Sequence, residues 1–303
     1  MPIHHSYTSK RDYPDKVRKS EEGKLLVLEV LELPTLSVIL NKILKVAGNG
    51  KSGASDMAEV ISRDQALTAN ILKIANSAYF GLSQKVTTIP RAIVVLGFDA
   101  IKSIALSASV IEVFRQNSHK NHFDRSKFWT HSLACAYVSK KIAGMTHRAQ
   151  LETAFVCGLL HDIGKIVLDI YFPDSYQRVL ERLADRPSTS TEAEDEMLGF
   201  THAEVGMWLA QRWKFPKAIV FSIANHHGMI ADDVRYRSLT SIVRLANHLC
   251  LEEGLCLANQ ALAEPLEDSL MGDIKLEPSD LIQLRETLSS QADSFIALFS
   301  SWD

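Results

Sequence analysis

The chain has no apolar run of the roughly 20 residues that a bilayer-spanning helix requires. Its opening stretch, MPIHHSYTSKRDYPDKVRKSEEGK, holds no apolar core of signal-peptide length. No membrane association is expected, and the chain reads as cytoplasmic. A surplus of positive charge is also missing. The 33 Lys and Arg against 36 Asp and Glu leave a formal net charge of −3, so no surface built to neutralise nucleic-acid phosphates is expected. Cysteine is scarce. Cys135, Cys157, Cys250 and Cys256 lie in apolar surroundings without paired metal-type spacing, which reads as reduced core thiols rather than disulfides. Strand-length alternation of apolar and polar residues is rare, and internal repeats are absent. Two compact motifs fail as well. There is no HExxH, and GNGKS is not a phosphate-binding loop, because Lys45 stands where the motif needs a glycine and the preceding residues read as helix.

What is present is apolar content of 46% over 303 residues, enough for a sizeable core. Apolar spacings of three and four recur from residue 36 to residue 299, which predicts an all-α, multi-helix fold. Residues 1–24 read as a polar tail, 25–115 as an N-terminal helical lobe, 116–255 as a second helical lobe and 256–303 as a C-terminal helical extension. The stretches 48–55, 115–127, 184–196 and 264–280 read as loops or breaks. Asp56 with Glu59 reads as a capping box, Ser279 as the N-cap of a last helix, and Asn76-Ser77-Ala78-Tyr79 as a helix end.

The stretch GLLHDIGKIVL, residues 158–168, sets a histidine and an aspartate inside an apolar run. Residues 151–163 are apolar on nearly every face, which predicts a helix buried all round, with Gly164 as its C-terminal stop. His161 and Asp162 would then lie in its last turn. An unpaired carboxylate there would cost several kcal/mol or take up a proton, so Asp162 needs a partner, for which Lys165 is a candidate. Phe128, His131, Cys135, Val138 and Ile142 share one helical stripe, so His131 points at the core. Thr201 with Glu204 forms a capping box that sets His202 in a first turn, aligned with Val205, Leu209 and Trp213. His226 and His227, in ANHHG, end an apolar helix with Gly228 as its C-cap. By contrast His4, His5, His119, His122 and His147 fall in polar segments. Five histidines and one aspartate on inward stripes or helix ends suit zinc, iron, manganese or nickel. Satisfied core histidines and favourable partners of helix dipoles are the alternatives that spacing leaves open.

The order His131, then His161-Asp162 in HDIGK, resembles the HD superfamily of metal-dependent phosphohydrolases, in which these residues ligate the metal. His202 and NHHG are similar to the additional ligands of that superfamily's two-metal branch. Upstream, LPTLSVILNKIL, VISRDQALTANILKIANSAYFG and TTIPRAIVVLGFDAIKSIALS resemble the first half of the HDOD family, the HD-related output domain of bacterial signalling proteins. The resemblance covers residues 25–252. It implies one or two divalent metal ions (Fe, Mn, Ni or Zn) held by His131, His161, Asp162, His202, His226, His227 and the residue in place of the superfamily's last aspartate. Here that place, in RLANHLC, is Asn247, and the missing negative charge weakens the hold on a hard dication and alters the acidity of bound water. The GYP loop of the cyclic-dinucleotide phosphodiesterase branch is replaced by GMIADDVRYRSL. The expectation is a regulatory module with a bound metal and little or no catalysis, taking a signalling protein or a small phosphorylated ligand as partner. The alternative is a metal-dependent phosphohydrolase with Lys165 as a phosphate contact.

Overall fold

The computed structural model describes residues 38–49, 52–77, 80–115, 123–228, 234–256, 262–264, 266 and 268–299. The polar tail lies outside these residues, and so do Asp232 and Asp233, the carboxylates after the histidine pair that the sequence offers as compensation for Asn247. Fifteen helices and no strand occur among the described residues, as the spacing predicts. They are α1 (Val38–Gly48), α2 (Ala54–Ser62), α3 (Gln65–Ala75), α4 (Ile89–Leu96), α5 (Phe98–Arg115), α6 (Arg125–Thr146), α7 (Leu151–Leu160) and α8 (Ile163–Tyr171). They continue with α9 (Pro173–Asp185), α10 (Ser190–Leu198), α11 (His202–Arg212), α12 (Lys217–Asn225), α13 (Val234–Glu252), α14 (Asp268–Ile274) and α15 (Pro278–Phe299). Among the described residues no helix is long and apolar enough to cross a membrane.

Helices α1 to α4 gather around α5, and α5 packs in turn on α7. Helix α6 is the axis of the remainder. Its residues from Phe128 to Ser139 are all buried, and α7, α13 and α15 pack on it. One apolar core runs through both groups of helices, from Leu40 to Phe295. Asn76 ends α3 as expected and does more. Its carboxamide donates to the Leu72 and Val86 carbonyls and accepts from the Val86 amide, which fastens the approach to α4.

Several boundaries differ from the sequence reading, each for a local reason. The helix predicted over 151–163 ends at Leu160, and a new one starts at Ile163, so His161 and Asp162 form the corner between α7 and α8. Gly164 is therefore not a helix stop. It lies inside α8, where a Cβ would overlap the His202 carbonyl, so its hydrogen is what lets α8 pack against α11. Gly158 does the same for α7 and α6, since a Cβ there would lie 2.6 Å from the Cys135 carbonyl. Gly228 is not the cap of α12; His226 is, and the Gly228 amide merely turns back to Asn225. The stretch 184–196 is mostly helix, because Thr189 and Glu192 cap each other across the first turn of α10. Helix α14 falls inside the predicted break 264–280. Asp56 is the third residue of α2 and accepts from the Gly53 amide, while Glu59 pairs with Arg63. Ser279 is not an N-cap but lies inside α15, where Asp280 accepts from the Glu277 amide.

Candidate metal centre

Asp162 is 1% exposed, and four imidazoles converge on it. His131 Nε2 from α6 lies 3.5 Å from Oδ2, and His161 Nε2 lies 3.4 Å from the same oxygen. His202 Nε2, at the start of α11, lies 3.0 Å from Oδ1, and His226 Nε2, at the end of α12, lies 3.4 Å from it. His227 Nε2 joins through His202 Nε2, 2.8 Å away. Lys165, one turn into α8, donates to Oδ2 at 2.6 Å, so the partner that the sequence demanded for the aspartate is present. Asn247 of α13 lines a small cleft with His226, Arg244, His248, Leu251, Glu264 and Leu266. Its Oδ1 is buried without a hydrogen-bond partner. All seven residues anticipated as ligands are thus buried or half-buried in this region.

The outer nitrogens fix the tautomers. His131 Nδ1 meets the Leu255 carbonyl at 2.5 Å, His161 Nδ1 the Gly158 carbonyl at 2.7 Å, and His226 Nδ1 the Ile223 carbonyl at 2.7 Å. A carbonyl can only accept, so these three rings carry a hydrogen on Nδ1 and turn Nε2 inward. His202 Nδ1 lies 2.6 Å from buried Glu194 and His227 Nδ1 lies 2.9 Å from Glu264. An imidazole held from behind by a carbonyl or carboxylate is the arrangement that orients a metal-binding histidine.

Left alone, this centre is badly matched. His161 Nε2 and Asp162 Oδ1 are buried with no hydrogen-bond partner, and His202 Nε2 stands 3.2 Å from His226 Nε2. Two nitrogens bound to one ion at about 2.1 Å sit about 3.0 Å apart in octahedral and about 3.4 Å apart in tetrahedral geometry, so the spacing is compatible with co-ligands. Charge points the same way. Asp162 and Glu194 bring two negative charges, which Lys165 and the raised His202 offset in the metal-free protein and which a cation at the centre would offset in place of the His202 proton. Burial alone would push the Asp162 carboxyl up, but His161, Lys165 and His202 hold it well below the usual carboxylate range. Burial pulls His131 down and, helped by neighbouring imidazoles, His226 and His227 well down, which keeps their lone pairs free. His202 goes the other way: burial lowers it, yet Glu194 and Asp162 raise it above the ordinary histidine value. The residues therefore fit a divalent cation, and two groups are close enough to hold one: Asp162, His202, His226 and His227, and separately His131, Cys135 and His161.

The HDOD domain profile matches residues 33–229. The chain belongs to the HDOD family. Known relatives of this HDOD protein include a Treponema pallidum (strain Nichols) protein of uncharacterized function, 27% identical over 267 residues. That alignment covers 88% of this chain and 50% of the relative, so the HDOD chain spans about half the length of that relative. A Marinobacter aquaeolei VT8 protein provisionally assigned to signal transduction superposes with a TM-score of 0.77 at 21% identity, over 96% of this chain and 64% of the other. A Shewanella amazonensis SB2B protein provisionally assigned as a phosphohydrolase superposes with a TM-score of 0.69 at 25% identity, over 91% and 97%.

Four residues of this HDOD centre escaped the sequence reading. Glu194 is fully buried and binds both the Nδ1 and the backbone amide of His202. The capping pair Thr189 and Glu192 is the signal that would have put it on a helix. Glu264 was assigned to a loop and left no such signal. His248, which sits on the cleft and meets the Glu264 carbonyl, lies one residue beyond Asn247. Cys135 was read as a plain core thiol, and it is free and buried as expected, yet it lies beside His131.

Proposed function

We propose that the chain is a signal-transduction HDOD module whose His/Asp centre holds one or two divalent transition ions, drawn from iron, manganese, nickel and zinc, and performs little or no hydrolysis. The observation that carries the reading is the inward convergence of Nε2 atoms on Asp162 in a buried interior, with the neutral Asn247 nearby. His161, Asp162 and His202 are at most 1% exposed, so a phosphoester would have to displace protein to reach them. The cleft beside His226 has room for about 10 Å³, far below the roughly 300 Å³ at which small-molecule pockets begin. The ion's role in this reading is to tie α6, the α7–α8 corner, α11 and α12 together, and the helical surface takes a signalling protein or a small phosphorylated ligand. His131, His161, Asp162, His202, His226 and His227 would be the ligands, with Lys165 neutralising Asp162 and Asn247 able to offer a carboxamide oxygen.

Elemental analysis of untagged protein never exposed to an affinity metal tests this. The expected result is one to two equivalents in wild type and loss in both Asp162→Ala and His226→Ala. The second variant keeps the Lys165 pair intact, so metal loss there is not an effect of stranding a buried lysine. Metal-free wild type, still metal-free after incubation with each of the four ions, would overturn the reading. A second reading, a working phosphohydrolase, is favoured by Arg244 and His226 at the cleft and by the assignment of the Shewanella protein. It requires divalent-metal-dependent cleavage of some phosphoester, abolished in His161→Ala; no turnover over a broad panel with manganese, iron or nickel would count against it.

A further inference from the structure

His131, His161, Asp162, His202 and His226 are at most 3% exposed, whereas His227 is half-buried and forms the outer edge of the centre. Its Nδ1 lies 2.9 Å from Glu264 Oε1. Leu262 and Glu264 belong to a non-helical stretch between α13 and α14, and three further bonds hold that stretch down. The Thr191 hydroxyl of α10 donates to the same Oε1 at 2.7 Å, His248 Nδ1 donates to the Glu264 carbonyl at 3.0 Å, and the Leu262 amide donates to the Ser188 carbonyl at 2.9 Å. Glu264 and Leu266 then wall the cleft beside His226 and Asn247, which has room for about 10 Å³. That is space for about one water molecule, too little for a hydrated metal ion to pass. Asn247, on the same wall, keeps an Oδ1 that no protein donor satisfies, so it can receive a water or a passing cation. Glu194 backs His202 in a similar way, but it is fully buried and held within α10. The Glu264 side chain is 21% exposed and lies outside any helix, where local opening costs least.

We propose that the stretch carrying Leu262, Glu264 and Leu266 is a strap over the metal's entry route, and that Glu264 is its latch. Closed, the strap holds His227 in place and narrows the cleft. When the bonds from Glu264 to His227 and Thr191 break, the cleft widens and the most exposed ligand loses its backing. The ligands then set how tightly the ion is held, and the strap sets how fast it exchanges. The latch bonds join protein groups and are made with and without the ion, so weakening them lowers the barrier in both directions alike. The inference rests on the metal centre proposed above and adds the control of its occupancy. The competing description is that Glu264 only orients His227, in which case its bonds would act on release alone.

Stopped-flow uptake of zinc by the full chain, and its release to a chromophoric chelator, test this. In wild type the uptake rate is expected to level off with rising zinc, because opening then sets the pace. Thr191→Val removes one bond of the latch and touches no ligand. It should speed release and the uptake plateau alike, by about five-fold for one hydrogen bond, with the dissociation constant changed by less than about two-fold. Glu194→Gln, measured beside it, should speed release alone. Wild-type uptake that rises linearly with zinc to the fastest measurable rate overturns the strap, whether or not the variant folds. A Thr191→Val protein that changes neither rate, or that speeds release alone with a matching loss of affinity, also overturns it and leaves the centre standing. Protein that binds no zinc overturns this inference; if it also refuses iron, manganese and nickel, the proposed function falls with it.

Discussion

Gly164 shows how little room the centre leaves at the level of a single residue. A methyl group there would collide with the His202 backbone rather than with a side chain that can swing aside, so Gly164→Ala must push α11 away from α8. We expect a loss of about 3 kcal/mol, the upper end for overpacking, and weaker metal retention, because His202 moves with its helix. Gly53→Ala, where a Cβ meets nothing, should change stability by less than about 0.5 kcal/mol, and thermal denaturation of the two variants checks both. A second residue-scale expectation concerns Cys157, whose thiol burial pushes up to about 12. At pH 8 its thiolate is on the order of one in ten thousand, so a thiol reagent should leave Cys157 unmodified in folded protein and label it once the chain is denatured, as peptide mapping would show. These two residues mark what could be read from the sequence. The inward stripe through His131 and the Thr201–Glu204 box that sets His202 are short-range patterns, and both hold. The role of Gly164 is not short-range: a helix-stop glycine and a close-packing glycine look alike until the neighbouring helix is in place.

Among the elements, α10 carries the clearest lesson. Its sequence, STEAEDEML, is acidic and reads as a solvated loop, yet it delivers the fully buried Glu194 to the back of His202. The cap was visible in Thr189 and Glu192, whereas the burial of one glutamate among four acidic residues follows only from how α10 and α11 meet. Glu194 has one oxygen on His202 and the other without a partner, so its charge is committed to orienting that imidazole. Glu194→Gln keeps the shape and removes the charge. We expect metal affinity to fall about 10- to 100-fold, as for other residues that orient a ligand from behind, with the helical content unchanged; competition with a calibrated chelator, beside circular dichroism, measures both. Thr201→Ala acts on the same histidine through the backbone. Losing the bond from the Glu204 amide to the threonine hydroxyl should cost about 1 kcal/mol of stability. An affinity change much smaller than that of Glu194→Gln would show that charge, more than helix-end geometry, sets the strength of His202.

At the scale of the whole molecule the centre sits where helices α6, α7, α8, α11 and α12 meet within one apolar core, so binding of the proposed metal would be linked to folding, with a definite sign in pH. In the metal-free protein His202 is raised above its ordinary value by Glu194 and Asp162. Its proton therefore stabilises the fold fully below pH about 6.5, the unfolded value, and that contribution is lost as pH rises through the raised folded value. The proposed metal would take the same lone pair and need His202 neutral, so it would gain as the proton leaves. The two cations replace each other across this window. The prediction is that the gap in melting temperature between metal-loaded and chelator-treated protein is widest above the window and narrows as pH falls through it, with His202 the first ligand to be protonated because His131, His226 and His227 are shifted down. At free metal 100 times the dissociation constant the gap corresponds to about 2.7 kcal/mol, several degrees in a chain of this size. Differential scanning calorimetry at a series of pH values, with and without chelator, checks it. A gap that stays constant through the window would mean that His202 does not bind the ion, and a gap that widens toward acid would reverse the sign on which the linkage depends.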